Sequence, residues 1–278
     1  MRKQIKFNSI AIQGVVGSNH YKVVADNFSP LPQLKECNSF LEVAKAVFTK
    51  EVDFGLMAIE NSIAGSILPN YSLIEKFNLQ IIQEFYISVT HNLVATKETS
   101  LSSLTEVRSH QMALLQCTTF FEQLPHIQLM EDVDTALPAK LIAETQSHHI
   151  GALVPQGTAE LFDLQVLAEN IQDESINETR FVLVGNDLIV EDDDNKATIK
   201  IKLSHETGSL FEFLKIAKDA NINLTKIQSI PIPSSPWTYS FIIDLTFEMR
   251  SDFNQFIEQA AQQTIELSVW GTYKNEKK

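Results

Sequence analysis

Between Glu169 and Gly185 the chain reads ENIQDESINETRFVLVG, an Asn- and Asp-rich polar loop that passes directly into the apolar run Phe181–Val184. A short apolar run bounded by turn-forming residues is a buried strand of an α/β sheet. Ligands of such sheets bind at strand ends, which places Asn177, Glu178, Thr179 and Arg180 at a candidate site. Taken alone, the stretch has a simpler reading, in which β-branched Thr179 opens the strand and Arg180 lies in solvent. Other stretches have to decide between the two.

The same pattern recurs upstream. Ser9–Gln13 is a short apolar strand, followed by Gly14, Val15, Val16, Gly17, Ser18, Asn19 and His20 before a helical pattern to Phe28. Strand, glycine turn and helix make an anion-binding geometry: Gly14 and Gly17 let the backbone approach a ligand, and Ser18 can cap the helix whose first amides face it. The spacing lacks both the three-glycine dinucleotide fingerprint and the lysine of a phosphate-binding loop. Ser39 with Glu42 forms a capping box opening a helix to about Lys50. Asp53–Ile59 is a second buried strand, and it ends on Glu60, Asn61 and Ser62 ahead of a glycine turn at Gly65, which reads as a pocket wall.

Pro69 starts the next helix, and the strands Leu79–Val89 and His91–Ala95 carry the chain into a second lobe. There Val107–His110 lead into a helix predicted over Gln111–Leu124, with Met112, Leu115, Thr119 and Phe120 on its inner face and Gln116 and Cys117 two turns beyond Ser109. Ile127–Met130 is a strand, Asp134 caps a helix to Thr145, and Ile150–Val154 is a further strand. Alternating strands and helices imply parallel sheets, and the return at Leu161–Leu167 implies two lobes with a cleft between them. The limits expected are about 1–86 with 168–190 for one lobe and 87–167 for the other.

The acidic run Val190–Lys196 is the best boundary in the sequence, closing a first domain at 1–190. Beyond it, over 197–278, strand, helix, two strands separated by a proline-rich turn, helix and strand follow in the order βαββαβ, a ferredoxin-like module. Trp237 and Trp270 fall on its strands, where packing into the core is the expected role.

Composition narrows the function. With 278 residues, 44% of them hydrophobic, the chain can bury more than one core. Its net charge of -13 disfavours a nucleic-acid partner. No apolar stretch is long enough to cross a bilayer, and MRKQIKFNSI lacks an apolar signal core, so a cytoplasmic protein without membrane attachment is expected. Cys37 and Cys117 stand far apart without metal-ligand spacing and read as packed thiols. The histidines show no i, i+4 pair, so no metal site is expected; His110 either orients Ser109 or packs as a structural histidine. The arginines are only Arg2, Arg108, Arg180 and Arg250, so an anion site rests on one of these, on a lysine, or on helix N-terminal amides.

Several stretches together resemble a known family. IENSIAGS at Ile59–Ser66, SHQMALLQC at Ser109–Cys117, LAENIQD at Leu167–Asp173 and NETRF at Asn177–Phe181 are similar, in order and spacing, to the motifs of prephenate dehydratase. GSLFEFLKIAKDANINLTKIQSIP at Gly208–Pro231 resembles the ACT regulatory domain attached to that enzyme. The resemblance covers nearly the whole chain. It implies a two-lobed part like type 2 periplasmic binding proteins, a cofactor-free removal of carbon dioxide and hydroxide from prephenate to give phenylpyruvate, and feedback control by L-phenylalanine. It also implies pairing of ACT modules into dimers or tetramers.

By this resemblance Thr179 hydrogen-bonds or protonates the leaving hydroxide with Arg180 beside it, and Glu60 and Asn61 orient the substrate. Ser62, Ser109 and the amides around Gly17 and Ser18 hold its carboxylates, Phe181 lines the site, and Gln116 completes it on closure. An effector would lie near Gly208, Ser209, Leu210, Asn223, Leu224, Gln228 and Ser229. The family's G-P-x-G-T-F-S is altered here except for its glycines and the hydroxyl of Ser18, S-H-P-Q-A-L-x-Q-C keeps Ser109, His110, Gln116 and Cys117, and E-S-R-P is replaced by Gln228, Ser229, Ile230 and Pro231. No helical segment of the chorismate mutase kind precedes the motifs, which points to a monofunctional enzyme. Arogenate dehydratase, differing only in the substrate side chain, is the alternative enzyme. A non-catalytic amino-acid sensor is the alternative outside enzymes, and joint retention of Asn61, Ser109, Gln116 and Thr179 weighs against it.

Overall fold

The computed structural model describes residues 7–232, 235 and 237–277. Pro233 and Pro236 of the predicted turn, and the first residues of the amino-terminal stretch, lie outside them. By contacts the chain divides into two units, Met1–Ile67 with Tyr86–Phe181, and Leu68–Phe85 with Val182–Lys278.

In chain order the elements are β1 (Ser9–Gln13), α1 (Asn19–Asn27), β2 (Gln33–Cys37), α2 (Phe40–Phe48), β3 (Phe54–Asn61), β4 (Gly65–Ser66), α3 (Leu68–Lys76) and β5 (Gln80–Ser88). There follow β6 (Asn92–Ala95), β7 (Glu106–His110), α4 (Gln111–Leu115), α5 (Thr118–Glu122), β8 (Gln128–Asp132), α6 (Leu137–Thr145), β9 (Ile150–Val154), α7 (Thr158–Leu161), β10 (Gln165–Ala168) and β11 (Glu178–Gly185). The chain closes with β12 (Lys196–Lys202), α8 (Ser209–Asp219), β13 (Asn223–Pro231), β14 (Tyr239–Thr246), α9 (Arg250–Gln263) and β15 (Glu266–Tyr273).

Local sequence accounts for the first elements. Ser18 Oγ accepts the Tyr21 amide at 3.2 Å and starts α1; Ser39 Oγ accepts the Glu42 amide and starts α2. The Glu42 carboxylate returns to Asn38 N rather than to Ser39 N, one residue off the ideal box. Asp134 sits two residues before the N-cap of α6 but still serves it, accepting the Ala136 and Leu137 amides at 2.5 and 2.7 Å.

One sheet has the order β2-β1-β3-β11-β5, with β4 beside β3; the other has the order β10-β6-β9-β7-β8. The parallel sheets expected from the alternation are mixed. The β1–β2, β1–β3, β7–β8 and β7–β9 pairs are parallel, while β6–β9 and β10–β6 are antiparallel. β6 and β10 are the strands by which the chain enters and leaves the second lobe, so they need not follow the direction that helical crossovers impose on the others.

The helix expected over Gln111–Leu124 is two short helices broken at Gln116–Cys117. The Asp173 carboxylate restarts the second one by accepting the Thr118 and Thr119 amides and the Thr118 hydroxyl. The break also turns the inner face, which is Ala113, Leu114, Cys117 and Phe121; Met112 and Leu115 are exposed. Cys37 and Cys117 are buried free thiols.

In the second unit β12–β15 form the order β13-β14-β12-β15 with antiparallel neighbours, as the βαββαβ reading requires. Ile199, Ile201, Ile243, Phe213 and Phe256 fill its core, the last two edge to face at 5.7 Å. α3 and the start of β5 belong here as well. Tyr71 lies 6.4 Å from Trp270, and the backbones approach so closely that a Cβ on Gly271 would sit 2.0 Å from the Ile81 carbonyl oxygen. Trp270 packs as expected, but Trp237 is 84% exposed, because it precedes β14 instead of lying on it. Among the described residues no helix is long and apolar enough to cross a membrane.

Candidate active site

Within the first unit, the carboxyl ends of β1 and β3, the start of β11 and the segment around α4 enclose a cavity of about 370 Å³, a size suited to a small organic ligand. Ser18, Asn61, Gln116, Thr179 and Phe181, all singled out from sequence, line it. Its wall also contains Gln13, Asn19, His20, Phe40, His91, His110, Met112 and Asp134.

Strand alternation decides which motif residues face inward. On β11 Thr179 and Phe181 point into the cavity while Arg180, between them, turns to the opposite side, where it is 3% exposed and 3.8 Å from Glu60. Arg180 is therefore neither in solvent nor beside the Thr179 hydroxyl. On β7 His110 lines the cavity and Ser109 faces away, fully buried with its hydroxyl donating to Leu153 O at 2.8 Å. Neither Glu60 nor Ser62 reaches the cavity; Ser62 Oγ accepts the Glu178 amide and ties the β3 turn to β11. Gly17 lies just outside the lining, its carbonyl accepting the Thr158 hydroxyl at 2.8 Å.

A chain of hydrogen bonds joins the polar lining. The Ile63 and Ala64 amides donate to Asn61 Oδ1 at 3.0 and 2.9 Å. Backbone N–H can only donate, so the Asn61 NH2 must face the other way, where it meets Asn177 Oδ1 at 2.6 Å and Thr179 Oγ1 at 2.9 Å. Asn177 thus presents its own NH2 to Gln116 Oε1, at 2.9 Å, and His91 Nε2 approaches the same oxygen at 2.9 Å. His91 was not visible as a site residue in the sequence, and Asn177 was placed at the candidate site without its bond to Gln116; their partners lie 25 and 61 residues away, respectively.

Asp134 holds the glycine turn to the second lobe. Its Oδ2 accepts Val15 N at 3.0 Å, and Gly14, at φ +90°, lies so close that a Cβ would meet that oxygen at 2.5 Å. Burial pushes the Asp134 carboxyl up, against the three amides it accepts.

The cavity wall carries no lysine or arginine among the described residues. Burial, and secondarily His110, pushes His20 down to about 3. Burial also lowers His110, against the pull of Asp134 and Glu131, and lowers His91, against its bond to Gln116. All three imidazoles are therefore neutral near pH 7, and none brings a positive charge to the cavity.

In the second unit Gly208, at φ +91°, precedes the first turn of α8 with Ser209 and Leu210; Asn223 and Leu224 open β13, and Gln228 and Ser229 lie further along it.

The family model described as prephenate dehydratase matches residues 10–188. The chain belongs to that family. A bifunctional chorismate mutase/prephenate dehydratase of Enterobacter agglomerans is 29% identical over 86% of this chain. The chain spans 63% of that relative's length. An arogenate dehydratase/prephenate dehydratase 2 of Arabidopsis thaliana is 32% identical, over 95% of this chain and 72% of its own. The fold is shared with the crystal structure of a prephenate dehydratase in complex with L-Phe from Arthrobacter aurescens, at TM-score 0.84 and 24% identity, over 96% of this chain and 90% of that one. The prephenate dehydratase match takes in the whole cavity lining, from Gln13 to Phe181.

Proposed function

We propose that the chain is a prephenate dehydratase. The observation that carries this reading is the state of the Thr179 hydroxyl: its oxygen accepts the Asn61 NH2, and it makes no other hydrogen bond among the described residues, which leaves its proton for a ligand. In the reaction the ring carboxylate leaves as carbon dioxide, its bonding pair enters the ring, and the ring C–O bond breaks with its pair on oxygen. Aromatisation drives the step, so the protein has to hold the dianion and stabilise the departing hydroxide. Thr179 donates to that oxygen; a hydrogen bond to a developing oxyanion is stronger in a small apolar-walled cavity than in water. The Gln116 NH2 and the first amides of α1, behind Ser18, are suited to the carboxylates. Arg180 and Glu60 brace the far side of β11.

Arogenate is the second substrate to weigh, given the Arabidopsis relative. Its ammonium group calls for an acceptor, yet the only acid in the wall among the described residues, Asp134, already accepts three backbone amides. This favours prephenate. Purified protein should convert prephenate to phenylpyruvate with kcat/KM at least about tenfold above that for arogenate, the scale of one mismatched polar group. No turnover of either substrate would sink the reading.

We read residues 1–190 as a catalytic domain and 197–278 as an ACT domain that pairs with a second copy and binds L-phenylalanine near Gly208–Leu210, Asn223, Leu224, Gln228 and Ser229, in a cytoplasmic homodimer or homotetramer. With Gln228 and Ile230 replacing charged motif residues, binding should weaken by a coupling energy of about 1–3 kcal/mol relative to relatives that keep them. Calorimetry with phenylalanine, tyrosine and tryptophan beside inhibition assays checks this. Neither heat nor inhibition at millimolar phenylalanine would leave the module a dimerisation domain only.

A further inference from the structure

We propose that His91 is a positioning residue of this site, which through Nε2–H and together with Asn177 occupies the oxygen of the Gln116 amide so that Gln116 can only donate into the cavity. The inference rests on the functional reading above, since it says how a cavity without a formal cation among the described residues would accept a dianion.

The direction of every bond in the chain is determined, because it begins at groups that cannot reverse. The Ile63 and Ala64 amides hold Asn61 Oδ1, so the Asn61 NH2 faces Asn177 and Thr179. Asn177 must then offer its oxygen to Asn61 and its NH2 to Gln116. Gln116 in turn offers Oε1, and an imidazole nitrogen 2.9 Å from that oxygen must carry a proton. His91 is consequently the Nε2–H tautomer, with Nδ1 the unprotonated nitrogen, and Nδ1 is the atom found buried without a hydrogen-bond partner. Its backbone is fixed as well, with His91 N donating to Gln172 and His91 O accepting Ile171 N.

Two donors on Gln116 Oε1 leave its NH2 without a partner among the described residues, on a side chain that lines the cavity. With one donor gone, the amide can rotate by half a turn and present its oxygen to an anionic ligand, which repels it. The opposite tautomer of His91 would act the same way, since an unprotonated Nε2 attracts the NH2 of Gln116 and not its oxygen.

The test has a spectroscopic and a kinetic arm. In ¹⁵N-labelled protein the ring resonances lost on His91→Gln should show a protonated Nε2 and an unprotonated Nδ1; a protonated Nδ1 in the neutral ring overturns the proposal. In turnover of prephenate, His91→Leu should lower kcat/KM by about tenfold or more, the scale of a lost or reversed donor. His91→Gln, whose amide N–H can occupy the place of Nε2–H, should restore most of it. On a Gln116→Leu background His91→Leu should cost less than about twofold, because its effect runs through the missing amide. An equal loss on both backgrounds means that His91 only packs the wall, and overturns the inference. Wild-type protein inactive on prephenate and arogenate would overturn the functional reading instead, and the tautomer still decides the hydrogen-bond assignment.

Discussion

Thr179→Ala should lower turnover of prephenate by at least about 100-fold, the lower end for a removed proton donor, while KM stays within a few-fold. The expectation follows from geometry. Asn61 holds the hydroxyl oxygen at 2.9 Å and Phe181, one alternation further along β11, packs the same wall, so in the proposed reaction the hydroxyl would contribute to the departing oxygen more than to the resting substrate. Thr179→Ser keeps the oxygen and the Asn61 bond and should retain most of the rate; Thr179→Val keeps the shape and should behave like alanine. Stopped assays of phenylpyruvate formation under saturating prephenate separate these outcomes. An alanine variant with ordinary kcat would remove Thr179 from the chemistry.

The residues of the candidate site were legible where a single local rule applied. A serine after a glycine turn caps α1, and polar residues at the end of an apolar run mark the wall at Asn61 and Thr179. Arg180 was misplaced for want of a second rule already in the sequence: alternation along a strand sets neighbours on opposite faces, so a residue adjacent to Thr179 cannot share its cavity. Ser109 and His110 fall to the same argument. His20 had a local signal too, since it stands two residues past the capping serine, yet only tertiary packing shows it edge-on to Phe181 at 4.9 Å. Asp134 was legible as a helix cap, but not its bond to Val15, 119 residues away. Asn177, His91 and the break at Gln116 likewise depend on partners that approach only once both sheets are formed.

The largest stability effect is expected where the sequence suggested least. Lys196 closes the acidic run Val190–Lys196, and Glu84 lies within the strand Leu79–Val89, where the sequence reading assigned it no role. In the second unit these two meet: the Lys196 ammonium donates to both Glu84 oxygens, at 2.9 and 2.8 Å, with side chains 3% and 0% exposed, and the Glu276 amide donates to the same carboxylate. Moving both charges out of water is costly, and a well-formed pair offsets that cost without a large surplus. Removing one partner is different, because the remaining charge stays buried and loses the bidentate contact that offset its desolvation. Lys196→Met should therefore cost about 3–5 kcal/mol, and Glu84→Leu a similar amount. The double substitution Glu84→Leu/Lys196→Met should recover most of the loss, since two apolar side chains of similar volume need no solvation. Chemical unfolding of the whole chain, followed through Trp270, which is packed against Tyr71 in the same unit, provides the measurement. A single variant within about 1 kcal/mol of the parent, or a double variant no better than the singles, would show that the pair is hydrated and that α3 and β5 are held to this unit without it.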